Sequence, residues 1–506
     1  MEKYEEKNAC VQQELLNRSL PLEWNAELSL PDYRSEISRL LWIRPTVLPP
    51  TRFFSGDSVE LSGRVNYDAL YAGPDGRLYS VTAEEPYAFS VPLGEADPET
   101  LSVELVPDVV VGRVAAPRKL TVRCRVHAQV RGYGTKCLAA DMPKETEGKV
   151  CRLGRMIEGG KLVVGSGEAV ELCEDIFVED TGELRVIAAR GEAFLPEVSA
   201  GEGSVHCRGE VVLTLLLERA EGEDTPSPFV AVRRLPFEAE VPLTDMVPDS
   251  KARAFAAVEE IRTTVETGKI TAAVRLLPTA EAQGKELAYY TADLFLPGAD
   301  TVCKYEQQQL WLPTLCCNRN YSISGVIRPG DIGMPSDAEL LDVTADAELR
   351  ERIPDERGTT LSGQLCCHIL YRRGAEYGAA EGSVPFRVIL EGKHEGLSAV
   401  CRVPICRARC ERESLTVDAE LAVMARGYAP QTVTVLSEAG FSPSTAAPRA
   451  DIELCYPRGE DTLWQIAKRY AVDPADLAAA NGIAREPDAA LEGVRYLMIP
   501  RGNSAS

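Results

Sequence analysis

A long internal repeat constrains this chain more than any other feature. The segments "LSGRVNYDALY" (61–71), "CRGEVVLTLLL" (207–217) and "LSGQLCCHILY" (361–371) share a glycine followed by apolar residues two and eight positions on. The glycines, Gly63, Gly209 and Gly363, stand 146 and 154 residues apart. The apolar pairs are Val65 and Tyr71, Val211 and Leu217, Leu365 and Tyr371. Period-two patterning predicts a strand with one buried face, and the glycine predicts a bulge or a close backbone approach.

Two further landmarks recur. One is "EPYAFSVPL" (85–93), "LPFEAEVPL" (235–243) and "VPFRVILEG" (384–392). The other is "LTVRCRVHAQVRGYG" (120–134) and "LTVDAELAVMARGYA" (415–429), with a degraded middle copy, "ITAAVRLLPTAEAQG" (270–284). Turn signals such as "AGPDGR" (72–77) and "RRGAEYG" (372–378) separate these runs. The chain is therefore expected to be mainly β, with three sandwich- or barrel-like repeats over 1–145, 146–290 and 291–432. A helical or loop-like lead-in is expected before the first and third copies, over 28–47 and 332–349. "SEAGFSPSTAAPRA" (437–450) reads as linker, predicted over 433–450, ahead of a terminal module at 451–501.

Composition narrows function. The formal net charge of −22 argues against a nucleic-acid backbone or an anionic membrane as the main partner. It leaves either a solvated acidic face or a basic protein partner. No stretch reaches the ~18 apolar residues of a membrane span. The start, "MEKYEEKNACVQQELL", has no continuous apolar core of a signal peptide, so a chain that is not exported is expected. The 15 cysteines are spaced irregularly and no paired CxxC occurs. They read as small core residues, with a zinc site around Cys401, Cys406 and Cys410 as the alternative. There is no Gly-x-Ser-x-Gly, no phosphate-cradling loop and no His-Glu-x-x-His. Acidic pairs such as Glu84-Glu85 and Glu259-Glu260 are adjacent, which puts them on opposite faces of a strand. Neither a catalytic centre nor a cofactor is predicted.

The terminal module carries dense helix punctuation. Thr462 and Gln465 fit a capping box, and Leu463, Ile466, Ala467 and Tyr470 form one apolar stripe. Asp473 and Pro474 open a second helix, and Asn481-Gly482 closes it. With flanking strands at "IELCYP" (452–457) and "RYLMIP" (495–500), the order is βααβ. Trp464 is either core or a partly exposed anchor for a partner.

The module resembles a LysM domain at Gly459, Asp461-Thr462-Leu463-Trp464, Ile466-Ala467, Tyr470, Leu477, Asn481-Gly482-Ile483, Leu491, Gly493, Leu497 and Ile499-Pro500. Glu460 lengthens the loop before Asp461 by one residue relative to the family. The resemblance implies a groove lined by Gly459, Asp461, Thr462, Leu463, Trp464, Asn481, Gly482 and Ile483, with N-acetylglucosamine units of peptidoglycan as the usual ligand. The segments "LPDYRSEISRLLWIRPTV", "SGRVNYDALY" and "PYAFSVPL" resemble the SPOCS domain of endospore formers. Tandem SPOCS units followed by LysM resemble the SipL-type spore-coat morphogenetic family. That resemblance implies a scaffold in the mother-cell cytoplasm, at the forespore surface, whose LysM domain docks on the ATPase of the coat's basement layer.

Overall fold

The computed structural model describes residues 10–138, 148–178, 183–220, 228–392, 394–411, 413–443, 453–458, 460–484 and 486–500. The first unit contains β1 (Cys10–Ser29), β2 (Arg39–Val47), β3 (Thr51–Ser55), β4 (Ser58–Ala72), β5 (Leu78–Pro92), β6 (Ser102–Ala116) and β7 (Lys119–Cys137). The sheet β1-β7-β6 faces a second sheet in which β4 pairs with β2, β3 and β5. Alternate residues of β4 and β7, among them Val65, Tyr67, Tyr71, Val122, Cys124 and Val126, fill the space between.

The second unit repeats the plan with β8 (Cys151–Ser166), β9 (Val170–Phe177), β10 (Glu183–Ala200), β11 (Ser204–Ala220), β12 (Pro228–Pro242), β13 (Lys251–Glu266) and β14 (Lys269–Phe295). Here β8 and β9 together take the place of β1, pairing with successive halves of β14. The chain breaks between them at Gly167-Glu168-Ala169. The third unit contains β15 (Ala299–Ile327), β16 (Glu339–Asp355), β17 (Gly358–Arg373), β18 (Glu376–Glu391), β19 (Gly396–Glu411) and β20 (Ser414–Pro443). Each unit is thus an antiparallel sandwich with its own core.

Several sequence expectations are corrected. The lead-ins at 28–47 and 332–349 are loop-like and not helical: a loop at 30–38 joins the end of β1 to β2, and one at 333–338 joins a 3-10 turn (Pro329–Ile332) to the start of β16. Residues 433–443 are not linker, because β20 stays paired with β15 through Pro443↔Ala299. Likewise β14 runs past residue 290 because β8 pairs with it as far as Phe295↔Cys151.

The repeat glycines sit opposite the aromatic of the second landmark. The registers are Gly63↔Tyr87, Gly209↔Phe237 and Gly363↔Phe386. A Cβ on Gly363 would lie 2.1 Å from the Glu348 carbonyl oxygen and 2.7 Å from the Phe386 ring. Backbone cannot yield as a flexible side chain does. Gly363→Ala is therefore expected to destabilise the third unit by about 1–3 kcal/mol. Gly440→Ala, where nothing lies within 4 Å, should be near neutral; urea unfolding of both variants checks this.

The three units close on one another. Each second strand carries a register shift that sets aside one extra residue: Leu41, Ile187 and Leu341, again 146 and 154 apart. These three residues meet in one apolar cluster with Leu70, Leu78, Leu216, Leu370 and Tyr377, contributed by all three units. Contacts repeat around the ring. Arg185 of the second unit donates to the Leu78 carbonyl of the first at 2.8 Å, and Arg39 of the first donates to Tyr377 of the third at 3.5 Å. Arg44 pairs with Glu192 at 2.6 Å, and Arg190 pairs with Asp342. Stretches of β1, β8, β14, β15 and β20 form a second junction, where Val11, Ile157, Tyr290, Leu310 and Val433 pack together.

Between these apolar junctions lies a buried ionic network. Glu281 accepts from Arg253 Nε at 2.8 Å, from Arg426 Nη1 at 3.0 Å and from the Ser102 hydroxyl. Glu104 accepts from Arg253 Nη2 at 2.5 Å and from Ser398 at 3.1 Å. Every unit contributes. Burial opposes each charge, yet Arg253 and Arg426 hold both carboxyls below the ordinary range, and Glu281 holds both arginines above theirs.

Candidate binding site on the C-terminal module

The module consists of β21 (Glu453–Cys455), α1 (Leu463–Arg469), α2 (Pro474–Asn481) and β22 (Leu497–Ile499). The capping box forms as the residues require. Thr462 Oγ1 accepts from the Gln465 backbone at 3.2 Å, and Gln465 Oε1 accepts from the Thr462 backbone at 3.0 Å. Asp473 caps α2 by accepting from Ala475 N at 2.8 Å, and Gly482 ends it at φ +64°.

The eight candidate residues fall into different roles. Gly459 lies outside the described residues. Leu463 is buried core, packed with Ile466, Ala467, Leu477 and Leu497. Asp461 accepts from the Arg458 backbone at 3.0 Å and from Arg469 at 3.2 Å. These partners hold its carboxyl below the usual range. Asn481 joins α2 to β22: its amide donates to the Leu477 and Met498 carbonyls at 2.9 and 2.8 Å and accepts from Met498 N at 2.7 Å. Ile483 is half-buried against the core, and Gly482 is exposed. The loop before α1 is laced to the stretch after α2. Leu491 N donates to Asp461 O, Trp464 N donates to Pro487 O, and Thr462 bridges to Ala490. The exposed rim of this loop pair consists of Glu460, Gly482, Ala484 and Glu486.

Trp464 faces the body of the protein and is only 4% exposed. Its Nε1 donates to Asp293 at 2.8 Å, and its ring meets Phe295 edge-on at 5.0 Å between centroids. Lys468 also pairs with Asp293, and the Tyr305 hydroxyl donates to it at 2.7 Å. Burial alone would raise the Asp293 carboxyl. The donors Lys468, Trp464 and Tyr305 reverse this and hold it below its ordinary value. Lys149–Asp473 at 3.1 Å and Arg155–Asp488 at 2.9 Å extend the seam, and Cys151, Leu153 and Phe295 join the module's core. Asp293, Phe295 and Tyr305 stand at the ends of β14 and the start of β15, with no local sequence signal linking them to a module 170 residues on.

The opposite face is open. Along β21 and β22, Cys455 and Leu497 point inward, while Leu454, Tyr456, Tyr496 and Met498 point out, with both tyrosines more than half exposed.

Residues 459–486 match the LysM domain family, in agreement with the βααβ geometry. Comparisons with curated proteins and with solved structures returned no match. The chain thus carries a C-terminal LysM domain, a module that supports a binding role toward peptidoglycan-like glycans, on a mainly β body. Among the described residues no group of three or more His, Cys, Asp or Glu side chains is placed to hold a metal ion, and no helix is long and apolar enough to cross a membrane.

Proposed function

We propose that this protein is a non-enzymatic scaffold of endospore coat assembly, in which the three β units form a platform and the LysM domain presents a binding surface. The observation that carries the reading is the seam at Trp464. A recognition module that buries its own tryptophan against the body is held in one orientation, with its loop rim and outer sheet face turned outward. Fixed presentation suits repeated weak contacts on a polymer, which add through effective concentration. The partner implied by the SPOCS-plus-LysM resemblance is the ATPase of the coat's basement layer, met in the mother-cell cytoplasm at the forespore surface. The second reading, binding of N-acetylglucosamine units in peptidoglycan, is favoured by the LysM match itself.

The two readings separate in one experiment on the full chain, offered purified coat ATPase and, separately, purified peptidoglycan. Capture of the ATPase alone, weakened about tenfold by Glu460→Lys paired with Ala484→Glu on the rim, is the expected result. Capture of peptidoglycan alone would replace the adaptor reading with the glycan reading. Capture of neither would reject both.

A further inference from the structure

The ring does not close completely at its centre. Beside the Glu104–Arg253–Glu281 network lies a cavity of about 140 Å³ with walls from all three units, including Pro50 and Arg52 of the first, Phe255 of the second and Arg402 of the third. Val47, Phe255 and Arg402 also line a neighbouring, larger chamber of about 610 Å³.

The arginines around this cavity are not equally partnered. Arg253 is taken up by Glu104 and Glu281. Arg52 and Arg402 have no ion pair or hydrogen bond among the described residues, and the Nε of Arg402 is buried without a partner. Other arginines facing the junctions have carboxylates: Arg44 has Glu192, Arg190 has Asp342 and Arg426 has Glu281. The Arg402 guanidinium carbon sits 4.1 Å from the centroid of the Phe255 ring. Stacking occupies one face of the planar fork and leaves its edge, with the donors, free for an acceptor. Burial lowers both Arg52 and Arg402 from their ordinary values; Glu281 near Arg52, and Glu192 and Asp346 near Arg402, offset it only in part.

We propose that this cavity is a binding site for a small oxyanion, phosphate- or carboxylate-bearing, held by Arg402 and Arg52. An arginine fork takes such groups in bidentate fashion, and Arg52 and Arg402, both half-buried, have donors not engaged by any carboxylate among the described residues. The volume admits an ion of a few heavy atoms and excludes a glycan chain or a peptide. Because Arg52 belongs to the first unit, Arg402 to the third and Phe255 to the second, an ion bound here ties all three together. Binding to the closed ring alone would stabilise it by mass action. This site is independent of the LysM surface.

The test uses the full chain and two probes, inorganic phosphate and malonate, each against chloride at matched ionic strength. Titration calorimetry and thermal melting are the readouts. The expected result is saturable one-site binding of at least one probe with a higher melting temperature, and no such effect of chloride. Phosphate acting alone marks a phosphoryl ligand, and malonate acting alone or alongside phosphate marks a carboxylate-accepting site. Arg402→Met should weaken binding at least about tenfold while leaving the melting temperature in chloride unchanged or raised, since it removes a charge with no ion-pair partner and a buried, unpartnered Nε. Arg52→Met, on a separate strand, should weaken binding in the same direction. The proposal is overturned if neither probe binds saturably, or if both variants bind as the unaltered protein does. It is also overturned if Arg402→Met lowers the melting temperature in chloride without changing probe binding, which would make Arg402 a packing residue only.

Discussion

Glu281→Leu is expected to destabilise the body by about 3–5 kcal/mol, because it removes the carboxylate that compensates buried Arg426 and half of Arg253's pairing. Arg426 is 2% exposed and has no other ion-pair partner among the described residues, so its charge would be left in a low-dielectric junction. The loss should appear as a lower urea midpoint of the first unfolding transition. Adding Arg426→Met should recover part of it, since a buried pair replaced by apolar residues is far less costly than a pair broken on one side. The same network sets a pH dependence. The folded state depresses the carboxyls of Glu281 and Glu104 from their ordinary value of 4.5. Their contribution is therefore complete above that value and declines as pH falls below it toward the folded-state values. Glu281→Leu should flatten this acid limb of the stability profile. An unchanged midpoint in a correctly folded Glu281→Leu protein would mean that the junction is wet or open.

Asp293→Ala is expected to release the LysM domain from the body without unfolding either. The substitution leaves the Trp464 indole and the Lys468 ammonium without their acceptor, at a cost of about 2–4 kcal/mol to the seam. The module's own core, built on Leu463, Ile466, Leu477 and Leu497, does not involve Asp293. Hydrogen exchange should rise at the Trp464 indole and along the last residues of β14, and Trp464 emission should shift to the red. Because Asp293 is depressed from its ordinary value of 3.8, acid should reproduce the effect as pH falls below that value. Exchange and emission identical to the unaltered protein would show that the Cys151, Leu153 and Phe295 packing and the Lys149 and Arg155 pairs hold the seam without Asp293.

Local patterning made much of this architecture legible. The glycine-and-strand repeat marks β4, β11 and β17 because each glycine must lie under an aromatic or a carbonyl, a constraint carried by single positions. The LysM domain is legible for a similar reason: Thr462, Gln465, Asp473, Pro474 and Gly482 act on their own helix ends. The closed ring is not written locally. In aligned register, the third landmark places Arg131, Glu281 and Arg426 at equivalent strand positions. Glu281 and Arg426 look like ordinary polar strand residues until the units meet, whereas Arg131 pairs with Glu14 of its own unit. The linker expectation failed for a related reason. The stretch from Ser437 reads as small and polar, yet β15 offers it a partner more than a hundred residues away, and Val433, Val435 and Leu436 before it are buried. Trp464 could not be assigned from its helix alone, because the group that decides its role, Asp293, belongs to another unit.

Closure of three repeats into one body with the LysM domain fixed upon it is the claim on which the rest depends. Small-angle X-ray scattering of the full chain in dilute solution tests it most directly. A compact body of this length has a radius of gyration of about 23–27 Å, and the account predicts a value in that range with a single-body profile. A radius above roughly 35 Å, with the elongated profile of separate domains on a string, would contradict it.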